Sequence, residues 1–160
     1  MGEISTASGT KVYIGQAVTT AQADTLAEFQ AMSNWTEIGL IESLGEFGDE
    51  ASDVAFAALG DGRTRHAKGA RDAGTMAITV AHDPTDPGQA AAIAAEATNV
   101  NYAIRVTLND GPAGYSDTEM YMRGLVRSKR LNVGTNDNVV RRTINIGVNS
   151  EIFEALATSL

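Results

Sequence analysis

From Val100 to Leu108 every even-numbered position carries a large apolar side chain: Val100, Tyr102, Ile104, Val106 and Leu108. Asn101, Ala103, Arg105, Thr107 and Asn109 occupy the positions between and after them. Side chains on a pleated strand alternate between its two faces, so a strict period of two predicts a strand buried on one face only. The same pattern recurs three times. Thr75 to His82 places Met76, Ile78 and Val80 on one parity, Asp117 to Lys129 aligns Met120, Met122, Gly124 and Val126, and Val139 to Val148 aligns Ile144, Ile146 and Val148. The turn sequences Asp110-Gly111-Pro112-Ala113-Gly114 and Gly134 to Asn138 separate the last three runs and predict hairpins. One helix interrupts them. Asp86 is placed to cap it, Pro87 suits its first position, and Gln89 to Ala97 is rich in alanine.

The first half is less regular. Lys11 to Gln16 reads as a short strand with Val12 and Ile14 on one face. Thr19 or Thr20 to Met32 reads as a helix with Leu26 and Phe29 apolar, and Trp35 to Leu44 as a strand with Ile38, Leu40 and Leu44 on one parity. From 45 to 74 the alternation stops. Glycines at 45, 48, 60, 62 and 69 and mixed charges predict a long loop, with a short strand near Val54 to Leu59. A loop of about thirty residues far exceeds the usual connection, which points to a functional segment. Residues 1–10 read as a polar N-terminal arm. Residues 149–160, with Ile152, Phe153 and Leu156, read as a C-terminal arm that docks locally or onto a neighbour.

The expected fold is therefore mainly β with one helix (α+β). Five or six antiparallel strands form a sandwich or barrel with a flanking helix, a long inter-strand loop and extended terminal arms. The chain of 160 residues suits a single domain. A half-buried sheet of this kind leaves borders that can pair with another copy.

Charge is distributed unevenly. Residues 1–62 hold ten acidic groups against Lys11 alone, a net of −9, whereas residues 63–160 sum to +1. An acidic half can repel a polyanion while a basic segment pairs with other copies; solubility alone is the simpler reading. No apolar run approaches the ~18 residues that cross a bilayer, and Met1 to Thr10 lacks the basic start and apolar run of a secretory signal. With no cysteine, disulfides and thiolate metal sites are excluded.

Catalytic and cofactor-binding patterns are missing. His66 and His82 are the two histidines, too far apart in sequence to nominate a zinc site, and neither a Gly-x-Ser-x-Gly elbow nor a phosphate loop is present. His82-Asp83 at a strand end suits a turn or cap better than acid–base work. No enzyme, metal site or cofactor is expected. One cluster is left: Arg63, Arg65, His66, Lys68 and Arg71. It suits contact with acidic groups on neighbouring copies, a plain solvated loop, or phosphate binding, although no aromatic residue interleaves the bases to stack on nucleobases.

Several stretches taken in order carry a resemblance. Val12-Tyr13-Ile14-Gly15 is followed by Trp35-Thr36-Glu37-Ile38-Gly39 and Ile41-Glu42-Ser43-Leu44-Gly45-Glu46-Phe47. Lys68-Gly69-Ala70-Arg71-Asp72-Ala73-Gly74-Thr75-Met76 and Val80 to Gln89 come later. The succession, from about Lys11 to Phe153, resembles the major tail tube proteins of long-tailed, non-contractile bacteriophages and related prophage or gene-transfer particles. That resemblance implies a structural virion protein whose hexameric rings stack into a tube assembled in the bacterial host cytoplasm. It also implies a tape-measure protein filling the lumen, terminator and tip proteins at the ends, and DNA passing without specific binding. Under it, Arg63, Arg65, Lys68 and Arg71 are candidate inter-ring contacts. Glu37, Glu42, Glu46, Asp49 and Glu50 are candidate acidic partners or lumen residues. The alternative is a monomeric small β-domain that binds nucleic acid through its basic loop.

Overall fold

The strand that carries the cleanest alternation lies in the interior of the main sheet, beside its central strand. The computed structural model describes residues 4–160, so the first three residues of the N-terminal arm lie outside the described residues. The strands are β1 (Lys11–Val18), β2 (Thr36–Ile38), β3 (Ile41–Ser43), β4 (Glu50–Ala57), β5 (Thr64–Asp72), β6 (Thr75–Ala81), β7 (Asn101–Thr107), β8 (Glu119–Asn132), β9 (Arg141–Val148) and β10 (Phe153–Ala155). Two α-helices accompany them, α1 (Leu26–Ala31) and α2 (Pro87–Glu96). The main sheet runs β2-β1-β7-β8-β9-β6-β3 with β10 beside β8, and every pairing is antiparallel.

β2 and β3 stand at opposite borders of this sheet, yet only Gly39 and Leu40 separate them in sequence. The sheet must therefore fold over until its borders meet. Long strand β8 makes the fold possible. Its first half pairs with β7 as far as Gly124↔Tyr102, its second half pairs with β9 from Gly124↔Val148 onward, and a bulge lies between Val126 and Ser128. Two leaves result, and they share one core. Val12, Ile14, Ile38, Ile104, Val106 and Met122 come from the first leaf; Met76, Ile78, Val80, Ile144 and Ile146 come from the second. β2 and β3 do not pair with each other, so the architecture is an antiparallel sandwich and not a closed barrel.

Helix α2 holds the crossing between the leaves. The Asp86 carboxylate accepts hydrogen bonds from its own helix at Gln89 N (3.1 Å) and from Gly39 N (2.9 Å). Buried Gln89 donates to Gly39 O at 3.1 Å and Ala81 O at 3.0 Å, tying the crossing between β2 and β3 to the end of β6. The expected Asp86 cap and Pro87 start are both present.

A second cluster covers the outer face of the first leaf. Tyr121, one residue out of phase with Met122, points away from the main core and packs with Phe29, Ala103 and Val18, joined by Trp35 and Phe153. The Phe29 ring lies 5.7 Å from Tyr121 and 5.4 Å from Phe153, and the Arg105 guanidinium sits over the Tyr13 and Trp35 rings at 4.1 and 4.9 Å. Burial, reinforced by donation of its hydroxyl to Glu119, pushes the Tyr121 phenol up to about 12. A phenol protonated more tightly in the folded state stabilises the fold below its unfolded value of about 10, and that contribution is lost as pH climbs from there to about 12. Absorbance titration should show the Tyr121 phenol ionising only at a pH of about 12. Tyr121→Phe should remove that late step.

Three details depart from the sequence reading, and a fourth expectation is narrowed to one of its alternatives. The strand expected over Trp35 to Leu44 is two strands, because Leu40 adopts a left-handed φ of 55° where the chain crosses between leaves, leaving its side chain 60% exposed. The helix expected from Thr19 or Thr20 to Met32 is a single 3-10 turn at Thr20–Gln22 followed by α1. Thr25 caps α1 from inside the run by accepting from Glu28 N. The loop expected over 45–74 is the hairpin β4–β5. Of the two outcomes expected for the C-terminal arm, local docking is the one observed: β10 pairs with β8, Ser159 bridges Tyr115, and Phe153 supplies the second cluster.

Candidate functional site

Hairpin β4–β5 forms a separate two-stranded sheet beyond the sandwich. Nearly every residue of both strands is exposed. Val54 pairs with Ala67 and Phe56 with Arg65, so these side chains share one face. Val54 is 51% exposed, Phe56 65%, and Leu59 at the tip fully exposed. An isolated two-stranded ribbon is marginal in water, and this one shows apolar side chains to solvent along its length.

The hairpin brings the predicted bases together but partly satisfies them itself. Arg65 pairs with Asp61 at 2.7 Å, His66 with Asp53 at 3.0 Å, and Arg71 with Asp49 at 3.8 Å. The backbone N–H of Arg63, and then the Arg65 guanidinium, hold the Asp61 carboxyl below its usual range. Lys68 lies directly across from Asp53. The result is a ribbon of alternating charge with an apolar stripe, a surface better suited to protein than to a phosphate backbone.

The predicted acids divide into two sets. Glu37 lies on border strand β2, paired in register with Tyr13, and Glu42 on the other border strand β3, bound to Arg141. Glu46, Asp49 and Glu50 gather at the root of the hairpin, around a groove of about 870 Å³ that Asp53, Asp72 and Phe47 also line. Sequence reading missed Asp53 and Asp72 as members of this group. Their positions follow from the β4–β5 register, which the exposed hairpin does not announce. The stripe Val54-Phe56 does show a period of two, and that was the available signal. His82-Asp83 makes a turn in which Asp83 accepts from Thr85 N and Oγ1, and these bonds lower its pKa.

Several solved structures share the fold at low identity. A chain of the anti-feeding prophage baseplate aligns with TM-score 0.71 at 9% identity, covering 98% of each chain. The sheath/tube terminator structure of an extracellular contractile injection system, PVC, aligns with TM-score 0.69 at 10% identity, covering 96% of this chain and 98% of the other. The tail tube of phage SPP1 aligns with TM-score 0.59 at 14% identity, covering 94% of this chain and 77% of the other. No curated protein matches the chain. Residues 6–156 match the family described as phage tail tube protein, TTP, and the chain belongs to that family.

Proposed function

We propose that copies of this chain close into six-membered rings that stack into a tail tube, and that the β4–β5 hairpin makes contacts between rings. DNA passes along the lumen during ejection without being specifically bound, a tape-measure protein fills the lumen beforehand, and terminator and tip proteins cap the ends. Assembly takes place in the bacterial host cytoplasm, and the chain catalyses nothing. What carries this reading is the hairpin itself: a ribbon whose apolar stripe finds no cover among the described residues of its own chain. Such a surface is stabilised when another copy buries it.

Charge reversal at Arg65 and Lys68 tests the contact. Arg65→Glu with Lys68→Glu should reduce the sedimenting polymer at least about tenfold, because like charges would then face the acids of the adjacent ring. Polymer formed as readily as by the unmodified chain would remove these residues from the interface. Binding to duplex DNA at low ionic strength should be negligible. Salt-dependent affinity that Arg65→Glu abolishes would favour the monomeric nucleic-acid-binding module instead.

A further inference from the structure

Exposed charges that the hairpin's ion pairs leave free lie at both ends of the second leaf. Where β8 turns into β9, residues 131–139 are all exposed, and Leu131, Val133 and Val139 present apolar side chains at 47%, 57% and 55% exposure. Arg130, Arg141 and Arg142 flank this tip, with Arg141 bound to Glu42 and Arg142 donating to the Lys129 carbonyl, and the tip itself carries one acid, Asp137. Arg130 makes no ion pair among the described residues. The opposite end holds the groove at the hairpin root, with the carboxylates of Glu46, Asp49, Glu50, Asp53 and Asp72 and the ring of Phe47. Neither Glu46 nor Glu50 makes an ion pair among the described residues.

The register separates these two surfaces. β6 begins at Thr75, beside the groove, and ends at Ala81, which pairs with Arg141 beside the tip. Seven residues of strand span roughly 20 Å, so one copy cannot bring its own tip to its own groove. An apolar projection with arginines at its base and an acidic, partly apolar recess at the other end complement each other only between copies. Contact between two different patches is heterologous, and when it runs along the strands it has no reason to close.

We infer that the β8–β9 tip of one copy seats in the acidic groove at the hairpin root of the next copy along the tube. This rests on the tube reading and adds a second contact to it, one that sets a direction: every copy offers a tip one way and a groove the other. It also gives the acids at the hairpin root a partner other than the bases on the hairpin.

A charge swap tests the pairing. Arg130→Glu with Val133→Glu makes an acidic tip, and Glu46→Arg with Glu50→Arg makes a basic groove; all four positions lie at least partly in solvent. Each pair alone should reduce polymer, measured by sedimentation and micrographs, at least about tenfold. One chain carrying all four changes should recover to within about threefold of the unmodified protein. Trp35 emission and thermal melting check that each variant is folded. Recovery by the combined chain supports the contact even if one pair of changes is mildly destabilising. Polymer unaffected by either pair, or a combined chain as poor as the separate ones, overturns the contact while leaving the tube reading intact. If the unmodified chain forms no polymer at all, the tube reading fails and this contact fails with it.

Discussion

Gly88→Ala should destabilise the fold by about 3 kcal/mol and lower the melting temperature by on the order of 10 °C. Gly88 is the second residue of α2 and is buried. A Cβ placed there would lie 1.9 Å from the carbonyl oxygen of Glu37, 2.4 Å from its carbon and 2.6 Å from Cα of Ile38. All three atoms are backbone of β2, so no rotamer change relieves the overlap. The helix would have to withdraw from the point where Asp86 and Gln89 hold Gly39, loosening the junction between the two leaves. Gly60→Ala is the matching control. It lies at the hairpin tip, where an added Cβ would meet no atom within 4 Å, and its stability should change by less than about 0.5 kcal/mol. Circular dichroism melts of the two variants measure the difference. Equal melting temperatures would mean that α2 does not approach β2 as closely as described.

Phe56→Asp combined with Leu59→Asp should leave folding unchanged and abolish assembly. Both side chains are already in water in the isolated chain, at 65% and 106% exposure, so their loss costs the subunit little. In an assembled tube each would be worth about 1.5–3 kcal/mol if fully buried against a neighbour. Losing both therefore weakens each contact by more than about a hundredfold, and the loss repeats at every subunit. Light scattering at matched concentration reads the polymer, and melting temperature reads the fold. A variant that polymerises normally would show that the hairpin stripe does not face another copy.

Legibility in the sequence followed burial. β6, β7, β8, β9 and α2 could be read because each has one buried face, and a half-buried strand writes its geometry as alternation. Hairpin β4–β5 is exposed on both faces, so nothing in its pattern distinguishes it from a loop beyond the short Val54-Phe56 stripe. The break at Gly39 and Leu40 is fixed by Asp86 and Gln89, some fifty residues further along the chain, and no local window contains that cause. Whether the arm bearing Phe153 docks locally or onto a neighbour stayed open in the sequence because its partners Phe29 and Tyr121 come from distant elements. The basic cluster was found by composition, but composition does not show that Asp49, Asp53 and Asp61 partly neutralise it; the ion pairs of the folded hairpin do.

Electron microscopy of the purified, unmodified chain at increasing concentration bears most directly on the claim that this subunit is completed by copies of itself. Stacked rings around a hollow axis, with density for the hairpin crossing from one ring to the next, are the predicted images. Separate single copies at every concentration, with the ribbon lying against its own sandwich, would contradict it.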